Sequence, residues 1–293
     1  MTIERSAAGG RALCCAAVLC LLTTAADAAG QDLVERGEYL VRAGGCITCH
    51  VAEEEGAVPF AGGRAIESPF GTFYSPNITP DEETGIGSWS DEDFLNAFWN
   101  GVNPDGDHYF PAFPYTSYTG ITREDLLAMK AYLFSLEPVR QPNKEHDLSV
   151  LLSSRLAAGL WKRRYFEPGR FEPDPDQSRE WNRGAYLVRH LGHCGECHTP
   201  RSRFGALERD RALTGNPDGP EGDKVPNITA DPEDGIGEWS TRDIEYFLES
   251  GMLPDGDFAG GAMADVIDEG TSHLTDADRH AIAVYLKSLT PPP

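Results

Sequence analysis

The chain of 293 residues carries 47 acidic side chains against 25 lysines and arginines, which gives a formal charge of −22 at pH 7. This excess of negative charge argues against binding to nucleic acid or to an anionic lipid surface, and it favours docking to a basic patch on a partner. A role of the charge in keeping the protein soluble explains the composition equally well.

The first 29 residues are predicted to be a secretory signal peptide. Arg5 and Arg11 precede an apolar run, Ala12–Leu22, and Ala26–Ala28 supplies small residues at the positions that cleavage requires. We therefore expect export to the periplasm. No later apolar run approaches the roughly 20 residues of a membrane span, so no transmembrane segment is expected in the mature chain.

A five-residue motif of the form Cys-x-x-Cys-His occurs twice, at Cys46–His50 and at Cys194–His198. This spacing is typical of haem c attachment, because two thiols one helical turn apart form thioethers with the haem vinyl groups and the next histidine binds the iron. A zinc site is disfavoured because it needs four ligands and each motif is already a complete haem unit. We predict two covalently attached haem c groups. The predicted attachment residues are Cys46, Cys49, Cys194 and Cys197, and the predicted proximal ligands are His50 and His198.

The two motifs belong to a longer internal repeat. Pro76–Thr79 matches Pro226–Thr229, and Pro104–Asp107 matches Pro254–Asp257, with identical residues in both copies. Each half spans about 110 residues, a normal size for one domain. The predicted organisation is a signal peptide (1–29), a first domain (30–136), a linker (137–180) and a second domain (181–293).

Both halves are predicted to be helical, so the expected fold class is all-α. Four hydroxyl residues stand three positions before an aspartate, as in a helix N-cap: Ser90, Thr122, Ser240 and Thr275. Gly37 and Gly184 lie in helical sequence, where glycine costs about 1 kcal/mol. A close crossing of two helices would account for both glycines.

The repeat is similar to a tandem class I cytochrome c. Beyond the haem motifs, Pro76–Thr79, Gly85–Ser90, Pro111–Tyr118 and Gly260–Val266 resemble the cytochrome c subunits of periplasmic alcohol, aldehyde and sugar dehydrogenases. The resemblance implies an electron-transfer protein that accepts electrons from a periplasmic dehydrogenase. It implies a soluble cytochrome or an oxidase as the acceptor.

The same resemblance implies a methionine as the sixth iron ligand, in the loop before the last helix. Met263 stands in that loop and is the predicted ligand of the second iron. A repeat offset of 150 residues places Phe113 at the corresponding position of the first half, and phenylalanine cannot bind iron. His108, Met129, and an open site or another ligand such as a tyrosine remain as alternatives for the first iron.

A smaller difference follows the motifs. His198 precedes Thr199-Pro200, which resembles the cytochrome pattern in which a proline carbonyl accepts the Nδ1 proton of the proximal histidine. The first half has Val51-Ala52 at that point. Any backbone carbonyl can accept this proton, so we expect the difference to matter little.

The linker contains a basic cluster, Trp161–Phe166, near the end of a segment, Leu148–Phe166, that could form an amphipathic helix. One interpretation is that the cluster packs between the domains and neutralises carboxylates or propionates. The other is that it contacts a partner or a membrane surface.

The hypothesis that follows is a periplasmic dihaem cytochrome without catalytic residues of its own, which is an electron-transfer protein or a subunit of an oxidoreductase complex rather than an enzyme. The alternative is a haem enzyme, similar to dihaem peroxidases or thiosulfate dehydrogenases, that uses the first haem as an open catalytic iron. Phe113 at the aligned methionine position keeps this alternative open.

Overall fold

The structure, a computed structural model, describes residues 30–149, 153–219 and 222–290. The predicted signal peptide of residues 1–29 lies outside these ranges. Within the part of the chain that the structure describes, none of the helices combines the length and the apolar character that crossing a membrane requires.

Most of the regular secondary structure in the described residues is helical, and the helices follow the same order relative to the repeated motifs before and after the linker. In the first half they are α1 (residues 30–43), α2 (Cys46–Cys49), α3 (Asp91–Asn100), α4 (Tyr115–Tyr118) and α5 (Arg123–Ser135). The linker contains α6 (Arg155–Tyr165). In the second half they are α7 (Arg179–Tyr186), α8 (Gly195–His198), α9 (Thr241–Ser250), α10 (Ala262–Glu269) and α11 (Asp276–Lys287). A π turn (Leu187–Leu191) and short 3₁₀ turns at Arg209–Arg211 and Thr271–His273 also occur in the described residues.

A small antiparallel sheet departs from the expected all-α class. It has the strand order β1 (Ala65–Ser68), β2 (Gly71–Tyr74) and β3 (Asp147–Leu148). Gly71 adopts a φ of 119° at the turn, and a Cβ there would lie 2.2 Å from a carbonyl oxygen of β3. The sheet joins the linker to the first half through the pairing of β3 with β2. Strands this short, within a largely helical sequence, give no pattern from which the pairing could be predicted.

The glycines in the N-terminal helices permit close helix crossings, as predicted. A Cβ at Gly37 would lie 1.9 Å from the carbonyl oxygen of Ala128 in α5. In the second half a Cβ at Gly184 would lie 1.9 Å from the carbonyl oxygen of Ala281 in α11. Any larger residue would force the helices apart. The close packing of the helices therefore outweighs the cost of glycine in helix propensity at both positions.

The four predicted N-caps are also confirmed. The side chains of Ser90, Thr122, Ser240 and Thr275 each accept a hydrogen bond from the backbone N–H three residues later. Such bonds satisfy donors that the first helical turn leaves unpaired. They fix where α3, α5, α9 and α11 begin.

The two halves exchange a reciprocal pair of hydrogen bonds. The Tyr39 hydroxyl donates to Asp278 at 2.6 Å, and the Tyr186 hydroxyl donates to Asp125 at 2.6 Å. Each tyrosine lies on the first helix of its own half, and each aspartate lies on the last helix of the other half. The arrangement therefore repeats across the contact between the halves.

Each aspartate also pairs with an arginine of its own half, Arg36 with Asp125 and Arg183 with Asp278. Burial by itself raises the pKa of Asp278, but hydrogen bonds from Arg183 and Tyr39 outweigh it and hold the pKa below its ordinary value. The ionised Asp278 stabilises the fold above its unfolded-state pKa, and this contribution is lost as the pH falls through the lowered value.

The linker helix α6 packs between the halves. The Trp161 indole N–H donates to the carbonyl of Phe204 in the second half at 2.8 Å. The Lys162 ammonium lies 5.4 Å from the ring centroid of Tyr115 in the first half. These contacts favour the packing interpretation for Trp161 and Lys162, whereas Arg163 and Arg164 face solvent.

Candidate haem-attachment sites

The first motif forms the single turn α2. It begins after Gly45, which has a φ of 61°, and the Thr48 hydroxyl donates to the Gly45 carbonyl at 2.7 Å. Burial raises the pKa of the Cys46 thiol to about 12 and also raises the pKa of Cys49. Both thiols are free, as thioether formation with the haem vinyl groups requires.

The second motif repeats this arrangement in α8. Cys194 and Cys197 are free, and burial raises the pKa of Cys194 to about 12 and that of Cys197 above its ordinary value. The four thiols thus share one chemical state. No disulfide competes with haem attachment among the described cysteines.

A proline carbonyl orients each of the two predicted proximal histidines. His50 Nδ1 lies 2.8 Å from the carbonyl oxygen of Pro76, and His198 Nδ1 lies 2.8 Å from that of Pro226. A carbonyl oxygen only accepts, so Nδ1 carries the proton and Nε2 keeps its lone pair. Burial lowers the pKa of both rings, which keeps them neutral. This is the usual arrangement of a metal-binding histidine.

The assignment of this acceptor to Pro200 was wrong. The acceptor in the second half is Pro226, within the repeated Pro-Asn-Ile-Thr segment, and Pro76 has the same role in the first half. The difference between Thr199-Pro200 and Val51-Ala52 therefore has no effect on histidine orientation. The repetition of Pro76–Thr79 as Pro226–Thr229 is the sequence feature from which these two carbonyls could have been predicted.

In each half, one glycine lies between the histidine and the proline that orients it. The Gly62 N–H donates to the His50 carbonyl at 3.0 Å, and the Gly215 N–H donates to the His198 carbonyl at 2.8 Å. A Cβ at Gly62 would lie 2.4 Å from the carbonyl carbon of Pro76, so no side chain fits there. The residues around the predicted proximal histidines are arranged alike in both halves. Two free thiols beside a neutral imidazole with a free Nε2 are the donor set that haem c requires.

Met263 lies in the first turn of α10, directly after Ala262 and partly buried. The preceding Gly261 adopts a φ of 56°, which turns the chain into the helix. α10 packs against α9 and also against α2 of the first half, and a carboxylate oxygen of Asp265 lies 3.7 Å from the guanidinium of Arg64, just before β1. Met263 therefore lies near the contact between the halves, and its role as the second iron's ligand stays a prediction.

His108 lies against the linker helix. Its Nδ1 is 3.2 Å from the Lys162 ammonium, and a Cβ at Gly159 would lie 2.5 Å from the ring. Burial and the charge of Lys162 lower the pKa of His108. Because an ammonium only donates, Nδ1 accepts and the neutral ring carries its proton on Nε2. Iron binding through Nε2 would require the other tautomer and the loss of the Lys162 contact.

The remaining candidates lie in packed surroundings. The Phe113 ring belongs to an aromatic group with Phe98, Tyr109 and Tyr118, at centroid distances of 5.2 to 5.5 Å. Met129 is completely buried in the main hydrophobic core, as expected from its place on the apolar face of α5. Its thioether is enclosed by side chains of the core.

Similarity to known proteins agrees with this geometry. The family model for cytochrome c matches residues 34–137. A dihaem c-type cytochrome of Cereibacter sphaeroides is 44% identical over 256 residues, which is 86% of this chain and 84% of that protein. The chain belongs to the cytochrome c family. The cofactor of this family is covalently bound haem c, and a bound haem supplies a one-electron iron couple.

Longer relatives of this cytochrome are subunits of dehydrogenases. The cytochrome c subunit of gluconate 2-dehydrogenase from Pantoea cypripedii is 44% identical over 90% of this chain. The cytochrome subunit of fructose dehydrogenase from Gluconobacter japonicus is 39% identical over 89% of it. The cytochrome described here spans 61% and 53% of their respective lengths.

A second feature that was not predicted from the sequence is the π turn before Cys194, at the boundary between the halves of this cytochrome. Nine positions separate Gly37 from Cys46, whereas ten separate Gly184 from Cys194. The extra residue is accommodated by the π turn, in which the Gly192 N–H donates to the carbonyl five residues earlier. Such π turns frequently occur at functional sites. The one-residue insertion before Cys194 is the sequence feature from which this turn could have been predicted.

Proposed function

We propose that this chain is a periplasmic dihaem cytochrome c that transfers electrons from a dehydrogenase to a soluble cytochrome or an oxidase. Two tandem cytochrome c domains, residues 30–136 and 181–293, each hold one haem c and are joined by the structured linker of residues 137–180. Cys46, Cys49 and His50 hold the first haem. Cys194, Cys197 and His198 hold the second.

The observation that carries this proposal is the equivalence of the two proximal sides. Each histidine has its Nδ1 at 2.8 Å from a proline carbonyl, in segments 150 residues apart. An identical donor set in both halves is what two resident redox groups require, whereas a substrate site would need only one such set. The names of the longer relatives support a dehydrogenase as donor.

The test combines composition with electron uptake. The mass of the full exported protein should exceed that of the bare polypeptide by two haems. A gluconate dehydrogenase deprived of its own cytochrome subunit should reduce both haems when its substrate is added. A mass increase of one haem would contradict the dihaem proposal. Two haems with peroxide or thiosulfate turnover, and no reduction by dehydrogenases, would contradict the electron-transfer role.

We further propose that the two irons differ in their sixth ligand, with Met263 on the second and no methionine on the first. Phe113 at the aligned position and the engagement of His108 with Lys162 support this difference. A thioether favours ferrous iron, so the first haem is the centre of lower potential. An open first iron would favour the alternative function as a haem enzyme.

His108→Ala tests the ligand of the first iron. If His108 binds the iron, the variant converts the first haem from low spin to high spin, because a ligand-field donor is lost. The measurement is the spin state of the ferric protein by electron paramagnetic resonance. The matched variant Lys162→Met removes only the competing donor and should leave a bound histidine in place. A spin state that is unchanged in His108→Ala would contradict ligation by His108.

A further inference from the structure

Two parts of the chain depart from the internal repeat. One is the residue inserted before Cys194, which forms the π turn. The other is the segment around α4, where the offset between the halves rises from 150 residues at Pro104 and Pro254 to 153 at Tyr132 and Tyr285. In the first half this segment contains Phe113 in place of a methionine. Neither departure is required to attach a haem in its own half.

The π turn and the segment around α4 contact each other. His190 in the π turn donates from Nδ1 to the Ser117 carbonyl in α4 at 2.9 Å. A Cβ at Gly120 would lie 2.1 Å from the same nitrogen, so the glycine is needed for this approach. The rings of Tyr118 and His193 meet edge to face with centroids 5.2 Å apart. Each of these contacts joins the first half to the residues just before Cys194.

A buried carboxylate inside the second motif completes the junction. The Glu196 side chain is 10% exposed. It accepts from the Thr116 hydroxyl at 2.9 Å and from the Ser117 hydroxyl at 2.7 Å, both in α4. Its other oxygen pairs with Arg201 at 2.7 Å. A buried carboxylate depends on all of its donors, so the second motif is tied to α4 of the first half.

The same short helix also reaches the first motif. The Tyr118 hydroxyl donates to the carbonyl of Gly44 at 3.4 Å, two residues before Cys46. Gly44 itself lies near the second half, because a Cβ there would be 3.6 Å from Leu191 in the π turn. α4 therefore contacts Glu196 inside the second motif and Gly44 just before the first motif.

We infer that α4 is a positioning element that holds the two haem-attachment motifs in one fixed relative arrangement, through the Thr116 and Ser117 hydroxyls on Glu196. This inference rests on the proposed dihaem function. The separation between two redox groups governs how fast they exchange electrons, so a chain that fixes both motifs to one helix controls that exchange. The repeat alone does not provide such a link, which explains why both departures occur at this boundary.

The test is a double variant of the complete haem-loaded protein, Thr116→Val with Ser117→Ala, which removes both hydroxyls and nearly preserves volume. Each lost hydrogen bond to a charged group should raise the population of the opened junction about tenfold. Hydrogen exchange of residues 193–198 should therefore accelerate by at least about tenfold. Electron equilibration between the haems after partial photoreduction should become slower and heterogeneous.

The matched control is Thr116→Ser with Ser117→Thr, which retains both hydroxyls and should restore wild-type exchange and kinetics. A second control, Glu167→Gln, removes an exposed partner of Arg209 away from the motifs and should change neither. If the double variant does not fold, Glu196→Gln removes the charge instead and should show the same local acceleration.

The outcomes separate the two proposals. Unchanged exchange at residues 193–198 in the double variant, or equal acceleration in the hydroxyl-retaining control, would overturn the positioning role. A mass lacking one haem in the wild type would overturn the proposed function instead. Two haems with unaltered equilibration in the double variant would overturn only the inference about α4.

Discussion

Cys194→Ala is expected to weaken or abolish haem binding in the second half and to leave the first half loaded. The variant removes one of the two thioethers, and free thiols are the only covalent anchors that the second motif offers. The mass of the purified protein should fall to that of the polypeptide with one haem. The haem absorbance per chain should fall by about half, since one of the two haems is lost.

Cys46→Ala is the matched variant for the first half and should lose the other haem. The two single-haem proteins should then show two different reduction potentials, one for each half. Loss of both haems from either variant would contradict independent attachment. Retention of two covalent haems in Cys194→Ala would contradict the role of that thiol.

Met263→Ala is expected to abolish the weak far-red absorbance band that ferric haem shows when a methionine sulfur binds the iron. It should also lower the potential of the second haem. A thioether stabilises ferrous iron, and changes of axial ligand move haem potentials within a range of about 0.8 V. The measurements are the spectrum of the oxidised protein and a redox titration of both haems.

The single-haem variants decide which iron Met263 binds. In the Cys46→Ala background the band should persist, and Met263→Ala should then remove it. This distinction matters because α10 packs against α2 of the first half as well as against α9. Met252→Ala is the control methionine and should leave the band intact. Persistence of the band in Met263→Ala would mean that another residue binds the iron.

Several features could be predicted because they depend on residues close in sequence. The N-caps at Thr122 and Thr275 need only a hydroxyl and an acid one helical turn later. The attachment motifs need five consecutive residues. Gly37 and Gly184 were informative because glycine is costly inside a helix unless another backbone approaches closely.

The sheet and the surroundings of His108 could not be predicted in the same way. β3 pairs with β2 across more than 70 residues, and its two residues show no pattern of their own. His108 is close to Phe113 in sequence. Its ring, however, contacts Lys162 on the linker helix. The direction of a side chain on a loop depends on which helix packs against it.

The two Cys-x-x-Cys-His motifs, the repeat and the helical starts can be identified from the residues alone, since each is a local pattern or a direct copy of one. The proline carbonyl that orients each histidine cannot, because it lies far along the chain, 26 residues from His50 in the first half. Folding also brings Tyr39 to Asp278, 239 residues away. These contacts depend on how buried helices and loops meet, and many residues could form any one of them, so the sequence does not specify the partner.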